Sequence, residues 1–197
     1  MYDKYVKDIM DLYDKEQDEY DELEKKELPH EQEHEEEDKI AEKYDKRLLD
    51  LNKKYNIIFR YDLIDAWGVQ LSTLIITSDK ENNVVCVYDN EGFKDELANA
   101  NFTVDSKKVL NVLTKYEKQI KKIDEMEDKN TTVINDGVFN NFYFNINGNV
   151  YLYNISNLLA RYADMKEKAQ LFSDLLTEIR EVLVKDVKNI DRCLTLG

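Results

Sequence analysis

YDKYVKDIMDLYDKEQDEYDELEKKELPHEQEHEEEDKIAEKYDKRLLDLNKKY, residues 2–55, decides how this chain folds. Apolar or aromatic side chains fall at Tyr2, Val6, Ile9, Tyr13, Tyr20 and Leu23, interrupted at Glu16. They resume at Ile40, Tyr44, Leu48, Leu51 and Tyr55. A heptad-like three-four spacing kept for this long predicts two helices, each needing a partner along one side. Leu28-Pro29-His30 separates them, and a proline in the first turn of a helix sacrifices no hydrogen bond. The expected arrangement is a helical hairpin with arms about 35–40 Å long, at about 1.5 Å per residue.

Beyond Tyr55 the period changes from helical to alternating. Ile57, Ile58 and Phe59 begin a β-prone run. Leu71–Thr77 and Val84–Tyr88 read as two strands around a polar turn, with Trp67-Gly68 just ahead to anchor the sheet. A short helix is expected over Glu91–Ala100. A longer one, capped by Asp105 or Ser106, runs over Lys107–Met126 with Leu110, Leu113, Tyr116, Ile120 and Ile123 on one face. Strand returns at Thr131–Ile134 and over Asn141–Asn154. There Asn147-Gly148 predicts a two-residue hairpin turn of the type that needs positive φ.

From Ser156 or Asn157 onward a very long helix is expected. Its seam runs Leu158, Tyr162, Met165, Ala169, Phe172, Leu176, Ile179, Leu183, Val187, Ile190 and Leu194. The fold class is therefore α+β: an acidic helical hairpin (1–55), an α+β domain around a small antiparallel sheet (56–156), and a long C-terminal helix (157–197). That helix either packs on the hairpin as a coiled-coil-like bundle or pairs two chains through Leu158, Tyr162, Met165, Phe172, Leu176, Ile179 and Leu183. No internal repeat of motif length is expected.

Charge narrows the function. The chain of 197 residues carries a net charge of −14 with 36% charged residues. Met1–Lys54 holds 20 acids against 11 bases, a net of −9, and Asp14–Asp38 alone holds 14 against 3, a net of −11. Direct binding to nucleic acid or to an anionic membrane is disfavoured, since both require cations on the protein. A basic protein surface is the favoured partner. The acidic face expected to meet it comprises Glu19, Glu22, Glu27, Glu31, Glu33, Glu35, Glu36, Glu37 and Asp38. Met1 leads straight into charged residues with no apolar span, so a cytoplasmic protein with reduced Cys86 and Cys193 is expected.

His30-Glu31-Gln32-Glu33-His34 matches the H-E-x-x-H pattern, in which two histidines one turn apart hold Zn²⁺ and the glutamate serves as base. Its setting departs from that chemistry: a solvated bend crowded by carboxylates, with no third histidine in the chain. His30 and His34 are weak candidates for capturing a metal, and a zinc hydrolase is the minor alternative. No phosphate-binding glycine loop, nucleophile elbow or CxxC pair is present, so no catalytic residue and no cofactor are assigned.

Three functions follow, in order. The first is a non-enzymatic inhibitor of a nuclease or other nucleic-acid-binding protein, its acidic surface imitating nucleic acid. In composition the chain is similar to small acidic phage counter-defence inhibitors, anti-CRISPR proteins among them. The second is a self-associating coiled-coil assembly protein. The third is the hydrolase.

Overall fold

The computed structural model describes residues 2–65, 70–79, 83–87, 100–126, 137–157, 166–185, 190 and 194. It divides into two compact units, Met1–Asn56 and Ile57–Gly197.

In the first unit, α1 (Tyr2–Glu24) and α2 (His30–Lys54) form the expected hairpin. Glu27 turns the chain with φ 48, and Pro29 is the N-cap with φ −56 and ψ 141. The Pro29 carbonyl accepts from the N–H groups of Gln32 and Glu33 at 2.8 and 3.0 Å, which starts the ladder of α2. Tyr5, Ile9, Leu12, Leu23, Tyr44 and Tyr55 are buried along the seam together with Asn52.

That stripe corrects the heptad reading, because Tyr13 stands 37% exposed beside it. The seam follows an eleven-residue period, shorter than a repeat of motif length. Tyr5, Asp8, Ile9 and Leu12 recur as Glu16, Glu19, Tyr20 and Leu23, and Ile40, Lys43 and Tyr44 recur as Leu51, Lys54 and Tyr55. Eleven residues are about three turns at 3.6 residues per turn, so equivalent positions return to one face.

The second unit is an α+β domain built on a six-stranded antiparallel sheet in the order β4-β3-β2-β1-β5-β6. The strands are β1 (Ile57–Asp65), β2 (Gln70–Thr77), β3 (Asn83–Val87), β4 (Ala100–Phe102), β5 (Val138–Ile146) and β6 (Asn149–Ser156). β1 lies between β2 and β5, and Ile57–Leu63 are buried on both faces, with Phe59, Tyr61 and Leu63 on one and Arg60 and Asp62 on the other. Asn147 (φ 53) and Gly148 (φ 89) make the predicted turn, so Ile146 pairs with Asn149.

On one sheet face Phe59, Tyr61, Leu74, Ile76, Phe142, Phe144 and Ile146 meet two helices, α3 (Ser106–Ile120) and α4 (Lys166–Leu183). Asp105 caps α3, its carboxylate accepting from the Lys107 N–H at 3.2 Å. Val109, Leu113, Tyr116 and Ile120 face inward, followed by Ile123 in a 3-10 turn, while Leu110 is only half-buried. Phe172 of α4 stacks on Phe142 with ring centroids 4.3 Å apart. A buried hydrogen-bond chain ties three strands together: the Tyr61 hydroxyl donates to Asn140 at 2.8 Å, and the Asn140 amide donates to the Ile155 carbonyl at 3.1 Å. On the opposite face of β1, Arg60 and Asp62 form a buried ion pair at 2.6 Å, and Asp62 also accepts from the Thr73 hydroxyl.

Several expectations change here. β6 runs to Ser156, and Asn157 closes the strand in a left-handed conformation (φ 51), its side chain accepting from the Val138 N–H at 2.9 Å. The described part of the C-terminal helix begins at Lys166. Phe172, Leu176, Ile179 and Leu183, expected to form a self-association seam, are core residues of their own unit. An apolar stripe of this period covers a sheet as readily as another helix. Ala100 opens a strand instead of ending a helix. Leu158, Tyr162, Met165, Val187, Trp67-Gly68, the rest of the 91–100 helix and the 131–134 strand lie outside the described residues.

Candidate functional site

The hairpin bend collects the carboxylates singled out above, and their surroundings divide them into two groups. Glu19 does not belong to a free acidic face. It accepts from Lys43 and, at 2.8 Å, from the Tyr44 hydroxyl, so it clamps α1 to α2. Those two donors hold its carboxyl below the usual range, Lys43 contributing most. Glu22 pairs with Lys25 and Glu36 with Lys39, both at 2.6 Å, and each carboxyl is lowered by that lysine. Glu37 takes the His34 imidazole at 2.8 Å.

The second group is Glu27, Glu31, Glu33, Glu35 and Asp38. Among the described residues none of these has a cation within salt-bridge distance. Four are exposed and Glu33 is half-buried. Glu31 and Glu33 fall in the first turn of α2, where the helix dipole favours negative charge. Glu31, Glu35 and Asp38 follow one another at i, i+4 and i+7, along one exposed face. Between Glu31 and Asp38 six carboxylates cover about 10 Å of helix axis, roughly 2 Å per charge, near the roughly 1.7 Å of duplex DNA.

The two histidines stand on the same two turns. His30 is the first residue of α2, His34 follows one turn later, and both are exposed with ring centroids 4.3 Å apart. Among the described residues no group of three or more His, Cys, Asp or Glu side chains is placed to hold a metal, so the hydrolase reading lacks a third protein ligand.

Sequence reasoning missed a recurring clamp. Lys54 and Tyr55 both donate to Asp8, at 2.7 and 2.6 Å, just as Lys43 and Tyr44 do to Glu19. In the second unit Lys115 and, at 2.6 Å, Tyr116 share Glu178. In all three the lysine lies over the ring of the tyrosine that follows it, 5.1–5.2 Å from the centroid. The legible signal was the repeated Lys-Tyr dipeptide. The carboxylate it meets is fixed only by the register of the facing helix.

An open groove of about 490 Å³ on the hairpin is flanked by Asp8, Asp11, Lys15, Arg47 and Asp50. Its lining offers no nucleophile paired with a base. No helix among the described residues is long and apolar enough to cross a membrane. No family model matches the chain, and no curated protein or solved structure matches it.

Proposed function

We propose that this protein is a non-enzymatic binding protein whose hairpin bend docks on a basic protein surface, inhibiting a partner that handles nucleic acid. The observation that carries this reading is the set of five carboxylates without a cation in salt-bridge distance among the described residues, Glu27 in the turn and Glu31, Glu33, Glu35 and Asp38 on the first turns of α2. Charge balanced within the molecule, as at Glu19 and Glu22, offers a partner little. Charge left over on a preformed helix presents a basic groove with much of what nucleic acid presents. Such complementarity mainly accelerates association and sets specificity.

A pull-down from lysate with the purified protein, eluted by a salt gradient and competed with duplex DNA or RNA, tests it. A nucleic-acid-binding protein should be captured and released by salt or competitor. Reversing charge at Glu31, Glu35 and Asp38 to lysine should weaken that capture at least tenfold, mainly through the association rate. Unchanged affinity in the triple reversal would rule the reading out.

A further inference from the structure

We infer that His30 and His34 form a two-histidine site for a borderline divalent transition ion: Zn²⁺, Ni²⁺ or Cu²⁺. This is independent of the docking reading and involves no catalysis.

Three observations converge on it. The rings are one helical turn apart on one face, with centroids 4.3 Å apart, so both imidazoles reach the same volume of solvent just outside α2. His34 is also oriented. Its Nδ1 lies 2.8 Å from Glu37 Oε2, and a carboxylate can only accept, so Nδ1 carries the proton. In the neutral ring that leaves the Nε2 lone pair directed away from Glu37. A carboxylate fixing the tautomer of a liganding histidine is the arrangement that supports metal-bound imidazoles elsewhere. The third observation is the field. A cation at a helix N-terminus is opposed by the helix dipole, but the six carboxylates from Glu31 to Asp38 on the same turns reverse the local potential.

The ligand set also selects the ion. Carboxylates alone would favour Ca²⁺ or Mg²⁺, which take oxygen ligands. Two imidazoles shift the preference to nitrogen-binding ions, with Cu²⁺ tightest in the usual order. Since no third described protein ligand closes the site, the remaining coordination positions belong to water.

Titration of the intact protein with Cu²⁺ and Ni²⁺, by calorimetry and by the visible absorption of bound Cu²⁺, tests the site. One ion should bind per chain, undisturbed by excess Mg²⁺, and the untagged protein should be retained on a nickel-chelate resin. Replacing His30 and His34 together by alanine should lower the affinity more than tenfold and abolish retention, with the far-UV circular dichroism unchanged because both rings are exposed. Glu37→Ala, which keeps both imidazoles and removes the acceptor for the His34 Nδ1–H, should weaken binding about tenfold through the lost orientation. Affinity unchanged in the double histidine variant would mean diffuse capture by carboxylates and would overturn the inference. So would Mg²⁺ displacing the bound ion.

Discussion

Asn52 is fully buried in the hairpin seam, where the other buried residues among those described are apolar or aromatic. Its Oδ1 accepts from the Tyr5 hydroxyl at 2.9 Å, and its Nδ2 has no hydrogen-bond partner. Removing one half of such a pair leaves the other desolvated and unpaired, whereas removing both halves does not. Tyr5→Phe is therefore expected to destabilise the hairpin by about 1–2 kcal/mol. Adding Asn52→Leu to that variant should recover most or all of the loss, measured by urea denaturation. A double variant less stable than Tyr5→Phe would show that Asn52 is needed for its polarity. At this scale the sequence was legible where the chemistry is local. Asn147-Gly148 announced its turn because few dipeptides tolerate two successive positive φ values. The same is not true of Asn52, whose burial depends on which residue faces it from α1.

Among elements, the Lys-Tyr clamps give the helix pairs a particular response to pH. Lysine and tyrosine donors hold the carboxyls of Asp8, Glu19 and Glu178 below the usual carboxylate range, the lysine hydrogen bond contributing most in each case. A lowered carboxyl contributes stability that is fully present above its unfolded pKa and is lost as pH falls through the folded value. Burial, first, and the carboxylate neighbour, second, raise Tyr44, Tyr55 and Tyr116. Their contribution is present below the ordinary tyrosine range and disappears as pH rises through the raised values. The melting temperature should thus fall on the acid side below about pH 4 and again on the alkaline side above about pH 10. Glu19→Gln, which keeps an acceptor but no charge, should flatten the acid limb. An acid limb as steep as that of the parent would remove the clamp from the account. The stripe of α4 illustrates why such pairings escape sequence reading. Phe172, Leu176, Ile179 and Leu183 recur as a dimer seam would, and only the phenylalanines of β5 show that a sheet already covers them. Heptad and eleven-residue patterns likewise share Ile9, Tyr20 and Leu23 and part at Tyr5, Leu12 and Tyr13.

For the whole molecule, α+β organisation and an acidic end were both legible, since composition and a change of period report them without any tertiary knowledge. Which carboxylates are left unpaired was not, because it depends on which lysines the hairpin brings across. The division into Met1–Asn56 and Ile57–Gly197 also bears on unfolding. The hairpin is entirely helical, whereas the single tryptophan, Trp67, belongs by chain position to the second unit. Helical circular dichroism and tryptophan fluorescence should accordingly follow separate transitions in urea, the first weighted toward the hairpin. Coincident curves would mean that the two units unfold as one.

The eleven-residue repeat in α1 and α2 makes the hairpin a ruler. Its graduations are the clamps, Asp8 with Lys54-Tyr55 and Glu19 with Lys43-Tyr44, placed eleven residues apart on both arms. Deleting or duplicating one such block in both arms together would leave every face in phase and every surviving clamp with its mate. The acidic bend would simply be carried about 16 Å inward or outward along the axis. Reach is thus an adjustable quantity in this molecule, open to change by insertion without redesign of the seam.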